Sequence, residues 1–333
     1  MASEKWISRE INEKGSFIRQ KNQLTTPFGD GDGELPIEAG RYRLIWCQAC
    51  PWAHRSVIVR RVLGLESVIS LGTVDPIRPD GVKSDWAFTL DENHEDPVLK
   101  VKKVSELYLN AVPTYTGRFT VPVVVDVPTR KAVNNDYFNL TRYWETVWGK
   151  YHKQDAPELY PKNLRDDIDA LNDILFDEVN NGVYKVGFAR SQEAYLAAFD
   201  TLFARLDHLE ERLGERRFLF GDYITESDVR LYVTLVRFDV AYVNGFRANL
   251  RRIADYPHLW GYVRDLYRTP GFGDTTDFAA IKKHYHLCAI EDNPYRIVPK
   301  GPEHTGWHLS HGREKLSSNP QNKFLNLKKN TGR

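Results

Sequence analysis

A chain of 333 residues with a net charge of +1, 41% hydrophobic and 27% charged, has room for about two domains. It carries no charge excess that would mark a nucleic-acid or anionic-membrane partner. No apolar run approaches the ~20 residues of a transmembrane helix, and the opening MASEKWISREINEKGSF is charged, unlike a secretory signal. Three cysteines, Cys47, Cys50 and Cys288, are too few for a disulfide scaffold and predict a cytoplasmic protein with reduced thiols.

Residues 1–40 read as an irregular extension, with Gly, Pro and Asp gathered in TTPFGDGDGELPIEAG. RYRLIW alternates as a strand, PWAHRSVIVRRVLGL has helical apolar spacing ending near Gly64, and VISLGTV is a second strand. Residues 75–104 are polar and predict an irregular insertion. SELYLNAV then reads as a short helix, FTVPVVVDVPTRKAV as two strands joined at Pro128-Thr129-Arg130, and DYFNLTRYWETVW as a helix. The order β-α-β-α-β-β-α is thioredoxin-like and predicts an α/β thiol-binding domain over 41–150.

From about 160 the period changes. LRDDIDALNDILFDEVNN, QEAYLAAFDTLFARLDHLEERLG, ESDVRLYVTLVRFDVAYV and HLWGYVRDLYRTPG all carry helical apolar spacing, the last stopped by Pro270 and Gly271. These predict an all-α domain over 160–290. In YITESDVRLY, Thr225 is the expected N-cap, with Asp228 at the third helical position and Ile224 and Val229 as a hydrophobic staple. Residues 291–333, rich in Pro, Lys, His and Asn, read as an extended tail.

The chemistry concentrates in RLIWCQACPWAHR. Proline suits the first helical position, where its missing N–H costs nothing. Pro51 there makes Cys50 the N-cap. With Cys47 as the cap, Pro51 would fall inside the helix and damage it. A thiol at a helix N-terminus faces orphan N–H groups and the positive end of the dipole, which favour the thiolate. Cys50 is therefore the expected nucleophile. Cys47, at the strand end, is either a buried thiol or an accessory thiol close enough for a bond to Cys50. Cys288 lacks a partner motif and reads as structural, and no second pair accompanies Cys-x-x-Cys, so no metal is expected. In FTVPVVV, the thioredoxin-like order implies a cis Pro122 against the reactive cysteine, with the backbone of Val121 available to an extended thiol peptide.

CPWAHR at 50–55, TVPV at 120–123, NGVYKVGFA at 181–189, TESDVRLYVTLVRFD at 225–239, NLRRIADYPHLWGYVRDLYRTPG at 249–271, IKKHYH and NPYRIVPKGP together resemble the glutathionyl-hydroquinone reductases, or Xi-class glutathione transferases. The resemblance implies an oxidoreductase of the glutathione transferase superfamily. A cysteine thiolate attacks the sulfur of a glutathione-substituted hydroquinone, the hydroquinone departs, and a second thiol resolves the mixed disulfide. It implies Cys50 as nucleophile, with Trp86, Val121, Pro122 and Asp136 binding the thiol. Tyr184 and Tyr285 are implied at the quinol oxygens, where a phenol O–H stabilises a developing phenolate. It implies a homodimer acting on a small quinol conjugate, with glutathione or another low-molecular-weight thiol as co-substrate. Two positions depart from the family pattern. Asn134-Asn135-Asp136-Tyr137 stands where the family reads Asn-Asn-Glu-Ser, and Cys47 stands where a hydroxyl residue is commoner. Two other readings are a glutaredoxin-like disulfide reductase using Cys47 and Cys50, and a non-catalytic module binding aromatic ligands.

Overall fold

The structure, a computed structural model, describes residues 10–78, 85–288, 293–303 and 305–326. In chain order the strands and first helices are β1 (Tyr42–Trp46), α1 (Pro51–Leu63), β2 (Ile69–Thr73), α2 (Val104–Ala111), β3 (Val123–Asp126), β4 (Lys131–Asn134) and α3 (Leu140–Thr146). Helices α4 (Arg165–Ile174), α5 (Gly182–Phe188), α6 (Gln192–Glu215), α7 (Glu226–Arg237), α8 (Pro257–Tyr267) and α9 (Phe278–Leu287) follow, with a single helical turn at Val243–Gly245. Among the described residues no strand follows β4. The chain forms two compact units. One takes in Gln20–Ala156 and Asp277–Val298, the other the stretch ending at Arg19, Pro157–Thr276 and the chain from Pro299.

The first unit is built on a sheet of order β2-β1-β3-β4, with β2 parallel to β1 and β3 antiparallel to it. The order β-α-β-α-β-β-α appears as the sequence periods predict. β1 is buried at all five positions, since it has a strand on either side and cover on both faces. Arg43 is buried with it and pairs with buried Asp96 at 2.9 Å. Gly72, opposite Ile45 in register, leaves room for that pair: a Cβ there would stand 2.8 Å from Asp96 Oδ2. α1 is closed by Gly64 at φ 76°, whose N–H turns back to the carbonyls of Arg60 and Arg61. The described part of the polar insertion is irregular, and backbone bonds from Phe88 to Lys102 and from Val104 to Trp86 pin it. Helix α3 starts four residues later than its apolar pattern suggests. The Asp136 side chain takes the N–H groups of Phe138 and Asn139 in a turn first.

The second unit is helical. α4 runs into a π-helical segment at Leu175–Asn180, and α7 into another at Phe238–Tyr242. Ser191 caps α6 by accepting from Ala194 N–H at 3.1 Å. Thr225 and Asp228 form the expected capping box at α7. Asp228 also accepts from Leu219 N–H and the Tyr262 hydroxyl. Every residue of α7 is buried, which makes it the centre of this unit's core. Among the described residues after 293 there are two 3₁₀ turns, at Thr305–His308 and Arg313–Leu316. This stretch is tied down. Arg313 donates to the last carbonyls around α6, those of Leu213, Arg216 and Arg217, and Lys323 reaches buried Asp265 at 2.8 Å. Helices α5 and α9, of seven and ten residues, are not among those read from apolar spacing.

Candidate active site

The turn from β1 to α1 delivers Cys50. Its backbone is extended, at φ −78° and ψ 117°, Pro51 follows at the first helical position, and His54 N–H bonds to the Cys50 carbonyl at 3.0 Å. Cys50 is therefore the N-cap that the proline spacing predicts. Its N–H donates to the Cys47 carbonyl at 2.9 Å, closing the loop between the two cysteines. The Val121–Pro122 bond is cis, and the Cys50 thiol donates to the Val121 carbonyl at 3.3 Å. The sulfur thus lies between a helix N-terminus and the Val121 carbonyl. All three cysteines are buried thiols. Cys47 is at 0% exposure and Cys50 at 8%, so the second is the one that a small reagent meets.

Trp86 is buried with its backbone held by Val104 N–H. It stacks on His284 of α9 at 5.3 Å between ring centroids, 20° from parallel. The Arg78 guanidinium lies 4.7 Å from the Trp86 centroid on a cation–π contact. His284 Nδ1 donates to the Pro76 carbonyl at 2.7 Å, because a carbonyl can only accept. This sets the ring's orientation, and Tyr285, the next residue, meets it edge-on at 5.3 Å. Cys288 accepts from Arg78 N–H at 3.2 Å, and burial pushes its thiol up, as suits a structural cysteine. Burial, with the like charge of Arg118 next, brings the Arg78 guanidinium down to about 10. Sequence reasoning missed Arg78 and His284. The only signal available was the position of His284 beside Tyr285 in HYHLC.

Asp136 is buried and occupied by its own turn: besides the two N–H groups, its Oδ2 accepts from Asn139 Nδ2 at 2.8 Å. Tyr137 turns its ring onto α1, 4.8 Å from Trp52, and its carbonyl accepts from buried Arg55 at 3.1 Å. The first unit thus contains Cys47, Cys50, Trp86, Val121, Pro122, Asp136 and Tyr285.

Tyr184 belongs to the second unit. It sits in α5 among aromatic rings, 5.3 Å from Phe246, 5.8 Å from Phe188 and 6.1 Å from Tyr242. Both π-helical segments adjoin this cluster, the first ending at Asn180 just before α5 and the second containing Tyr242. Such segments are frequent at functional sites. The Arg19 guanidinium lies 4.7 Å from the Tyr184 ring centroid, a contact that no periodicity announces. Among the described residues no group of three or more His, Cys, Asp or Glu is placed to hold a metal ion. No helix there is long and apolar enough to cross a membrane.

Residues 192–265 match the family model of the glutathione S-transferase C-terminal domain. The glutathionyl-hydroquinone reductase YqjG of Escherichia coli is 40% identical over 299 residues, covering 86% of this chain and 89% of YqjG. Its glutathione-bound structure superposes with a TM-score of 0.81 at 38% identity, over 88% of this chain and 96% of that one. A glutathione transferase from Gordonia bronchialis is 49% identical with a TM-score of 0.85, over 88% and 90% of the two chains. The Xi glutathione transferase of Phanerochaete chrysosporium is 43% identical with a TM-score of 0.82, over 87% and 94%. Likeness of this extent, on a thioredoxin-like unit with a cysteine at its helix cap and a helical unit after it, has one consequence: the chain belongs to the glutathionyl-hydroquinone reductases, the Xi class of the glutathione transferase superfamily.

Proposed function

We propose that this protein is a thiol-dependent reductase that removes glutathione, or a closely related thiol, from glutathionyl-hydroquinones through a mixed disulfide on Cys50. The observation that carries the reading is the place of the Cys50 sulfur, at the N-terminus of α1 and 3.3 Å from the Val121 carbonyl. A sulfur there is available for in-line attack on a thioether whose thiol portion pairs with the Val121 backbone. In the first step the Cys50 thiolate attacks the glutathione sulfur. The ring reacts as its keto tautomer, in which the sulfur-bearing carbon has taken a proton and a ring hydroxyl has given one up. The S–S bond forms, the C–S bond breaks, and its electron pair passes through the ring to the quinol oxygen, which takes a proton. In the second step a glutathione thiolate attacks the mixed disulfide, releasing glutathione disulfide and the Cys50 thiolate. One ring carbon is reduced while two sulfurs, the thioether sulfur of the substrate and that of one glutathione thiol, become a disulfide, so no further reductant enters.

Tyr184 and Tyr285 donate their hydroxyls to the quinol oxygens, and Trp86 covers the thiol. Asp136 meets the ammonium group of the thiol from the turn that precedes α3. The glutathione-bound relative supports glutathione as the thiol. The reading includes a homodimer in the cytoplasm.

The test is turnover of glutathionyl-hydroquinone with intact-mass analysis. Wild type, mixed with substrate and no added thiol, should gain the mass of one glutathione at Cys50 and release hydroquinone. Cys50→Ser should lose turnover by roughly 10³-fold or more and gain no adduct. Turnover that survives in Cys50→Ser refutes the mechanism.

A further inference from the structure

The segment of the helical unit that ends at Arg19 reaches Tyr184. A small hairpin pairs Ile11 with Phe17. Asn12 Oδ1 accepts from the N–H groups of Lys14 and Ser16 and so holds its turn. The hairpin is clamped to the start of α6: Arg190 N–H bonds to the Gly15 carbonyl at 2.9 Å, and Ser191 Oγ donates to the Lys14 carbonyl at 2.7 Å. Gly15 is at φ +82°, and a Cβ there would stand 2.9 Å from Ser191 N. No larger residue allows the approach. Phe17 then packs edge-on against Phe188 at 5.2 Å.

Two residues later this anchored segment places Arg19. Its Nε donates to Asn181 Oδ1 at 2.7 Å, and its guanidinium lies 4.7 Å from the Tyr184 centroid and 5.3 Å from that of Phe17. Asn181 precedes α5 and stands one turn before Tyr184, so the arginine spans one turn of the same helix. The 2.7 Å bond is to an amide oxygen, and it orients the guanidinium. A hairpin, a hydrogen bond and two aromatic faces thus fix a cation over one phenol ring.

We propose that Arg19 is the positioning residue for Tyr184: it holds the phenol ring and strengthens its hydroxyl as a donor to the quinol oxygen that gains negative charge. The inference rests on the assignment of Tyr184 to the quinol. A cation over the face of a phenol draws electron density from the O–H, and the gain is largest when the acceptor becomes an anion. The contribution therefore falls on the reacting state rather than on ground-state binding.

The experiment is a double-mutant cycle on glutathionyl-hydroquinone turnover with Arg19→Met, Tyr184→Phe and the pair, with Arg19→Lys and Asn181→Ala alongside. Arg19→Met should lower kcat roughly 3- to 30-fold with KM little changed, the span to which a guanidinium–aromatic contact corresponds. In the Tyr184→Phe background the same change should cost less than about twofold. Arg19→Lys should recover part of the rate, and Asn181→Ala should lose part of it. If Arg19→Met does not fold, these last two variants, measured with and without Tyr184→Phe, carry the same comparison. A slow Tyr184→Phe with an unaffected Arg19→Met refutes the inference. So does an Arg19→Met loss of equal size in both backgrounds, which would mark Arg19 as a packing anchor. A Tyr184→Phe enzyme as fast as wild type removes Tyr184 from the reaction, and the inference falls with that assignment.

Discussion

Cys47 and Cys50 carry the same side chain in one short loop, and their surroundings separate them. Cys50 caps a helix and faces the Val121 carbonyl, whereas Cys47 follows β1 with no exposed surface. A thiol resolves a disulfide only if it is deprotonated and can reach the sulfur. Cys47→Ser should therefore keep its rate within roughly threefold at limiting glutathione, measured as disulfide release. A large loss there would move the mechanism toward an internal dithiol. Iodoacetamide followed by peptide mapping should modify Cys50 first. Cys47 and Cys288 should react only under denaturing conditions, Cys47 because it is enclosed and Cys288 because burial also pushes its thiol up.

At the scale of elements, short helices depend on what seats them. α5 carries Tyr184 and lies against Phe246 through Gly187, where a Cβ would stand 2.4 Å from Phe246 Cγ. Gly187→Ala must displace that ring, which also meets Tyr184 at 5.3 Å. The expected cost is about 1–3 kcal/mol, read as a lower urea midpoint, together with slower turnover. α7 depends on its cap. Thr225→Ala should cost about 0.5–2 kcal/mol. Asp228→Ala should cost more, because Asp228 accepts from Thr225, Leu219 and the Tyr262 hydroxyl, all buried. Equal costs would mean that the extra donors find other partners. The buried carboxyl is itself pushed up, by burial above all, against the pull of those donors.

For the whole molecule, the end of the chain is held to the helical unit by charge. Asp265 is buried and pairs with Arg217 at 2.8 Å and Lys323 at 2.8 Å, with His311 at 3.4 Å. Burial alone would raise the Asp265 carboxyl, but Arg217, Lys323 and His311 together hold it below its ordinary value. His311 lies below its ordinary value because burial disfavours the imidazolium, against the pull of Asp265 and Glu314. Both groups take up protons on unfolding. The histidine contribution is full above the unfolded value of about 6.5 and is lost as pH falls through the folded value. That of the carboxylate is full above about 3.9 and is lost as pH falls below it. The part of the stability that these two groups carry should decline below about pH 6.5 and again below about 4. His311→Gln should remove the first decline and leave the second, in urea midpoints taken against pH. Asp265→Asn should cost about 3–5 kcal/mol, since it leaves buried cations without their anion.

What was legible in the chain was local. The strand-to-helix turn at Cys50 followed from Pro51, since a proline ring tolerates only one place at a helix start. The capping box at Thr225 followed from four consecutive residues, and the β-α-β-α-β-β-α order from apolar periods. Each of these signals lies within a few turns of backbone, where hydrogen bonding and side-chain direction repeat. The start of α3 was misjudged by the same logic, because the Asp136 side chain outcompetes the helix for its first N–H groups. Tertiary structure alone set His284 and Arg78 around Trp86 and seated Arg78 on Cys288, 210 residues away. It also brought Arg19 to Asn181, 162 residues away. No period links such positions. Their meeting depends on how the sheet and helices pack, and on the burial that makes a cation seek an aromatic face or a carbonyl once water is excluded.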